Sequence, residues 1–245
     1  MKYCVCGAAY RIEGNDSIVM LSCRDLDGNR AILTDVYRPY FYTPVSYLKK
    51  LDKLRELYPS LDDSIVDISY GFLSIDGASL AKITVTIPPI VGEFNRAVES
   101  NRRSIGYIPL YESHIPFELR YMIDKDIVTG VTDDLVPIEI QSNHRIMYLD
   151  IETTTVEDKD IKRYIDPIIV IGIYDQYTDK YYEIYSSSCR IDSLEVDNIE
   201  LIPVSNEIEL LKAFRDLYIK LDPDVIVTFT KFDMRYLINL SLIHI

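Results

Sequence analysis

In the first half of the chain, apolar and polar positions alternate in short runs separated by turn chemistry. Strand-like runs flank "DLDGN", Asp25 to Asn29, and Asp-Gly favours the backbone of a tight turn, so a hairpin is predicted there. In "VSYLKKLDKLRELY", Leu48, Leu51, Leu54 and Tyr58 recur at helical spacing with charges between them. "SIVDISYGFLSIDG" and "SLAKITVTIPP" predict a second hairpin, "VGEFNRAVESN" a helix and "SIGYIPLYE" a strand. "PFELRYMIDKD" predicts a further helix with Pro116 as its first residue, where a missing N–H costs nothing.

The pattern changes beyond the polar stretch at residues 129–144, which reads as a domain boundary. "RIMYLDIE", "PIIVIGIYD" and "KYYEIYSS" predict three strands. The second is almost continuously apolar, as in a central strand buried on both faces. "SNEIELLKAFRDLYIKL" predicts the clearest helix. Asn206 and Glu209 have capping-box spacing, and Leu210, Leu211, Phe214, Leu217, Tyr218 and Leu221 form its apolar stripe. "DPDVIVTFT" predicts another buried strand and "KFDMRYLINLSLIHI" a last helix. Strands, a helix, then a strand imply a mixed sheet with covering helices. There is no internal repeat.

With 245 residues, 48% of them hydrophobic, the chain can build one large core or two smaller ones. No apolar run approaches the roughly 20 residues that span a bilayer, and the N-terminus lacks a signal-peptide core. A cytoplasmic protein with no membrane partner is expected. The four cysteines, Cys4, Cys6, Cys23 and Cys189, match no zinc spacing and are expected to be buried, reduced thiols. A net charge of −13 argues against a broad phosphate-binding surface. It leaves room for nucleic acid where divalent cations offset carboxylates, or where basic surfaces belong to another part of a larger protein. The sequence holds no Gly-rich phosphate loop and no Ser/His/Asp or Cys/His arrangement. His114 reads as a surface residue, and Arg102 and Arg103 as a solvated helix end.

The candidate chemistry lies where the strand "RIMYLDIE" ends. Alternation puts Asp150 and Glu152 on one face, with Ile151 on the other. Two carboxylates side by side raise one another's pKa, and desolvation adds to the cost. Bound Mg²⁺ or Mn²⁺ removes that cost, since hard cations prefer carboxylate oxygen. Asp233, after the run "VIVTF" and at the start of a helix, could supply a third carboxylate. From the residues alone, Asp150 and Glu152 fit a solvated turn more readily than a metal site, and Asp233 fits a helix cap equally well.

Four segments carry a resemblance. "YLDIETTT" and "DPDVIVTFTKFDMRYL" resemble the first and second exonuclease motifs of family B DNA polymerases. "YESHIPFELRYMIDKDI" resembles the segment before the exonuclease domain in archaeal members, and "YRPYFY" an early strand of their N-terminal domain. The four stand in the family's order and span nearly the whole chain. The resemblance implies an α/β architecture: an α+β N-terminal domain over residues 1–135, then a partial ribonuclease-H-like 3′–5′ exonuclease domain with a mixed sheet over residues 136–245. It implies DNA as partner, through the primer 3′ end and the template strand, together with the remaining polymerase polypeptide.

By the same resemblance, Asp150, Glu152 and Asp233 are catalytic ligands of a two-metal Mg²⁺ or Mn²⁺ site, with Phe232 at an aromatic position of the second motif. That motif departs from the family pattern Tyr-Asn-x-x-x-Phe-Asp: it is about two residues shorter and lacks the Asn. The third motif, Tyr-x-x-x-Asp, does not follow within these residues, so hydrolysis by this chain alone is expected to be incomplete. The alternative is a catalytically inactive DNA-binding or polymerase-assembly module. In the N-terminal part, Tyr10, Pro39, Pro88, Val91 and Phe117 fall where archaeal members hold a pocket for template uracil, and each also fits ordinary core or turn.

Overall fold

The computed structural model describes residues 1–154, 166–189 and 197–244, with only the helical backbone for 241–244. Thr155, the last residue of "YLDIETTT", and the His244 side chain lie outside the described residues. The chain divides into two compact units, Met1–Asn143 and His144–Ile245.

The first unit runs β1 (Lys2–Glu13), β2 (Asp16–Asp25), β3 (Arg30–Val36), β4 (Tyr40–Pro44), a helical turn (Val45–Tyr47), α1 (Leu48–Leu57) and α2 (Pro59–Asp62). It continues through β5 (Ile65–Leu73), β6 (Ser79–Val85), α3 (Pro88–Ser100), α4 (Phe117–Asp124), β7 (Gly130–Thr132) and β8 (Pro137–Ile138). One sheet has the order β3-β2-β1-β7-β8 and a second the order β4-β6-β5. The expected turn between β2 and β3 forms because the Asp25 carboxylate accepts from the N–H of Asp27 (2.9 Å) and of Asn29 (2.7 Å). Gly28 closes it at φ +86°, a left-handed conformation that glycine adopts without strain.

Two apolar clusters hold this unit. Phe41, Ile83, Leu51, Leu54 and Phe94 join the smaller sheet to α1 and α3. Tyr3, Val19 and Leu21 of the larger sheet meet Phe117 and Tyr121 of α4. The segment "SIGYIPLYE" is not a strand: it makes a single bridge, Tyr42 to Tyr111. Gly106 sits at φ +83° and Pro109 has no N–H to give, so a ladder cannot propagate. Pro116 stands one residue outside α4, as its N-cap with ψ 138°.

The second unit runs β9 (Ile146–Thr153), β10 (Ile168–Asp175), β11 (Lys180–Ser186), β12 (Ile199–Val204), α5 (Glu207–Leu221), β13 (Val225–Thr228) and α6 (Lys231–His244). Its sheet has the order β12-β11-β10-β9-β13. β10 pairs antiparallel with β9 and β11, while β12 and β13 add parallel edges, so the sheet is mixed as expected. Met147, Leu149, Ile171, Ile173 and Ile184 meet Leu210 and Leu217 of α5 and Tyr236 and Leu240 of α6. The α5 cap departs slightly from a capping box. Asn206 Oδ1 accepts from the Glu209 N–H at 3.0 Å, but the Glu209 carboxylate reaches the N–H of Ser205 rather than that of Asn206.

Two expectations about this sheet need correction. The apolar run of β10 is buried on one face only, since Val170, Gly172 and Tyr174 point away from the α5–α6 side. That outer face carries Tyr148, Tyr174 and Tyr181, with ring centroids 5.8 Å and 4.5 Å apart in sequence. Aromatic stacking thus shields part of a face that helices were expected to cover. β13 is likewise an edge strand, with Val225 and Val227 each 37% exposed, rather than a buried one. Among the described residues the cysteines form no disulfide, but only Cys4 and Cys23 are buried. A bulge between Val5 and Gly7 takes Cys6 out of register, and burial together with Cys4 pushes the Cys23 thiol up to about 11.

Candidate active site and a second cavity

On β9, burial alternates as the sequence requires: Met147, Leu149 and Ile151 are buried, while Tyr148, Asp150 and Glu152 are exposed on the opposite face. Across the ladder Asp150 faces Gly172 and Glu152 faces Val170. With no side chain at Gly172, the space beside Asp150 stays open. It forms part of a groove of about 570 Å³ whose lining, among the described residues, includes Tyr148, Asp150, Tyr174, Glu183 and Phe229 but no Lys, Arg or His.

Asp233 reaches β9 from the neighbouring edge. β13 ends at Thr228, paired with Leu149, so the β9 backbone beyond that point lacks a strand on this side. The chain then turns into α6: Thr228 Oγ1 donates to the Thr230 carbonyl at 2.6 Å, and the Phe232 N–H donates to Thr230 Oγ1 at 3.1 Å. Thr230 thus caps the helix, and Asp233 stands at the third helical position, where a carboxylate can reach back to the cap. The backbone N–H groups of Asp233 itself, Thr230 and Ile151 favour its charged form. Asp233 is 5% exposed, and burial pushes its carboxyl above the usual carboxylate range, with the charge of Asp150 adding to the rise against those N–H groups.

Asp150 and Asp233 are therefore close enough to interact as charges, and Ile151, whose N–H also acts on Asp233, lies between Asp150 and Glu152 in the strand. Among the described residues, however, no three His, Cys, Asp or Glu side chains converge tightly enough to hold a metal ion. Phe232 stacks on Tyr236 with centroids 5.2 Å apart and lies partly buried against the core. A buried ion pair that sequence reasoning did not single out steadies the opposite end of β9. Arg145 donates to Asp175 at 3.0 and 2.6 Å, and Thr178 Oγ1 adds a bond at 2.6 Å. Burial alone would raise the Asp175 pKa, but the bonds from Arg145 and Thr178 hold it below the usual range. Its signal was an Asp ending an apolar run, the same signal that marked Asp150.

In the first unit, Tyr10, Pro39, Pro88, Val91 and Phe117 all line one cavity of about 460 Å³. Tyr10 and Phe117 meet edge to face at 5.2 Å, and Val91 and Phe117 are each 8% exposed. Tyr40, Glu112 and Arg120 also line it, and sequence reasoning named none of them. A signal existed: Arg120 stands three residues after Phe117, on the stripe that α4 buries, where a cation is unexpected. His114 is exposed, as are Arg102 and Arg103, and Arg102 pairs with Glu99 at 3.6 Å.

Comparison with known proteins completes the picture. A family model described as DNA polymerase family B, exonuclease domain, matches residues 131–241. DNA polymerase 2 of Aeropyrum pernix is 26% identical over 270 aligned residues, covering 94% of this chain and 31% of that protein. The DNA polymerase of Pyrococcus glycovorans is 27% identical over 213, covering 83% and 24%. The DNA polymerase of Thermococcus litoralis is 34% identical over 140, covering 56% and 7%. This chain thus spans less than a third of the length of these relatives. A solved structure, the family B DNA polymerase from the hyperthermophilic archaeon Pyrobaculum calidifontis, shares the fold with a TM-score of 0.69 at 20% identity over 97% of this chain and 32% of that one. Residues 131–241 thus match the exonuclease domain of family B DNA polymerases, and similarity to archaeal DNA polymerases extends over most of the chain's length.

Proposed function

We propose that the second unit is the 3′–5′ exonuclease part of a DNA-directed DNA polymerase, acting on the primer 3′ end, and that Asp150, Glu152 and Asp233 are its catalytic carboxylates. The observation that carries this reading is the charge of Asp150 acting on the buried Asp233 at the end of β9, with no cationic side chain among the described residues that line the groove beside Asp150. This donor set is all carboxylate oxygen, which suits Mg²⁺ or Mn²⁺. Asp150, Glu152 and Asp233 would hold the ions. When bound, they supply activation of a water and neutralisation of charge on the departing 3′ oxygen. The chain's own part is to bury Asp233 in the first turn of α6, within reach of the charge of Asp150, and to keep Asp150 and Glu152 on one open face. Residues 136–245 would form this domain and residues 1–135 the N-terminal domain, both in a cytoplasmic protein. Among the described residues no helix is long and apolar enough to cross a membrane.

The cavity of the first unit supports a companion role in reading template uracil. Five positions singled out in sequence converge on it, and an apolar, shaped wall is able to accept a flipped base. A second reading, a non-catalytic DNA-binding or assembly module, is favoured by the absence of a three-acid cluster among the described residues. One experiment separates the two. The chain is given Mn²⁺ and a 3′-labelled single strand, and release of nucleotides that falls at least about 100-fold in Asp150→Ala supports the nuclease. Folded protein that binds uracil-containing template but releases nothing supports the module.

A further inference from the structure

The cavity of the first unit contains a buried charge whose partners are all in view. Arg120 is 7% exposed, on the inward side of α4. Its Nη1 pairs with the Glu112 carboxylate at 2.7 Å and donates to Tyr40 Oη at 3.2 Å. Its Nη2 donates to the Glu112 backbone carbonyl at 3.4 Å, and the guanidinium lies over the Tyr40 ring at 4.9 Å. Tyr40 Oη donates in turn to Asp124 at 2.6 Å, a carboxylate that also accepts from Tyr37 Oη and lies 4.0 Å from Arg120.

Glu112 has φ +60°, a left-handed conformation that costs a non-glycine residue free energy unless its surroundings enforce it. Glu112, Ser113, Ile115 and Pro116 form one wall of the cavity, and Tyr40 lines it beside Pro39. Arg120 holds Glu112 by both its side chain and its carbonyl, a two-point grip that a planar fork of donors can make and a single ammonium cannot. Its own charge is met by Glu112 and Asp124, while a second cation, Arg96, also lines the cavity.

We propose that Arg120 is a positioning residue for this cavity: through Glu112 and Tyr40 it holds the wall at residues 112–116 in the shape that admits an uncharged planar base. The ligand half of this inference rests on the base-reading role proposed above. The wall half stands independently.

Arg120→Met keeps the apolar stem and removes the fork, Arg120→Lys keeps the charge alone, and Glu112→Gln weakens the grip from its half-exposed end. Affinity is measured for single-stranded templates that differ only in uracil against thymine, alongside amide exchange at Ile115, whose N–H donates to the Glu112 carbonyl at 3.3 Å. The wild type should prefer the uracil template. Arg120→Met and Arg120→Lys should each reduce that preference on the order of tenfold, with affinity for the thymine template unchanged and Ile115 exchange faster. Preference and exchange both unchanged in folded Arg120→Met overturn the inference, as does a parallel loss of affinity for both templates. If Arg120→Met does not fold, Glu112→Gln decides by the same readouts. A wild type without preference overturns the base-reading role and with it the ligand half, while Ile115 exchange still judges the wall.

Discussion

In the first unit, the buried Arg120 meets two carboxylates, a phenol and a carbonyl. In the second, the buried Asp233 has, among the described residues, no cationic partner, and the charge acting on it, that of Asp150, has its own sign. A buried charge with complete partners fixes the geometry around it. One left beside a like charge is destabilising until something of opposite sign arrives. The contrast separates a cavity finished by its own side chains from a carboxylate ledge suited to a cation. It also explains why Arg120 is read as a positioning residue and Asp233 as a ligand.

The contrast concerns partners rather than units, and Asp175 tests that. It is fully buried in the same sheet as Asp233 but is doubly bonded to Arg145. Asp175→Ala leaves Arg145 without its carboxylate and should lower stability by about 3–5 kcal/mol in urea unfolding, the largest effect expected here. A cost near zero would mean that partnering does not distinguish these two acids.

Cation binding should work in the other direction. Mn²⁺ at about 100 times its Kd should stabilise the chain by about 2.7 kcal/mol, and Asp150→Asn or Asp233→Asn should remove most of that gain. Thermal unfolding with and without Mn²⁺ measures it. Equal stabilisation in both variants would show that the ion binds elsewhere.

Titration without added cation compares the two acids directly. The folded pKa of Asp175 is depressed, so its stabilisation is present above the unfolded value and is lost as pH falls through the folded one. The folded pKa of Asp233 is raised, so its penalty is full above that value and is relieved as pH falls through it. Between about pH 7 and about pH 3, wild type should lose less stability than Asp233→Asn, because the variant lacks the relief. A variant that tracks wild type at every pH would contradict the raised pKa.

The sequence made some of this legible and hid the rest for physical reasons. Alternation along β9 places Asp150 and Glu152 correctly because the side-chain period of a strand is fixed. The helix stripe of α5 is equally local: Leu210, Leu217 and Leu221 are buried and Leu211 and Phe214 pack partly against the core, while Tyr218, expected with them, is exposed. What stayed hidden depends on tertiary neighbours. An apolar run such as β10 does not say whether its second face meets a helix or a row of tyrosines. The bridge at Tyr111 in place of a strand follows from Gly106 and Pro109, which local pattern under-weighs. The convergence of Tyr10, Pro39, Pro88, Val91 and Phe117 came from resemblance, whereas Arg120 and Glu112 became visible only when their 2.7 Å contact was seen.

The smallest effect bears most sharply on the comparison. Asp233→Asn is nearly isosteric: it keeps a side-chain oxygen near the N–H groups of Thr230 and Ile151 but no longer repels Asp150. If Asp233 were only a helix cap, losing its charge near a helix N-terminus should cost a few tenths of a kcal/mol. If its charge is held at a penalty beside Asp150, neutralising it without cation should instead stabilise the chain by up to about 1 kcal/mol. The two accounts differ in sign, so a urea midpoint in chelator is enough to choose. A rise in the midpoint in chelator, together with loss of the Mn²⁺ gain, identifies an acid kept charged for a ligand. A fall in chelator with the Mn²⁺ gain intact reduces Asp233 to a cap and leaves Asp150 and Glu152 without their third carboxylate.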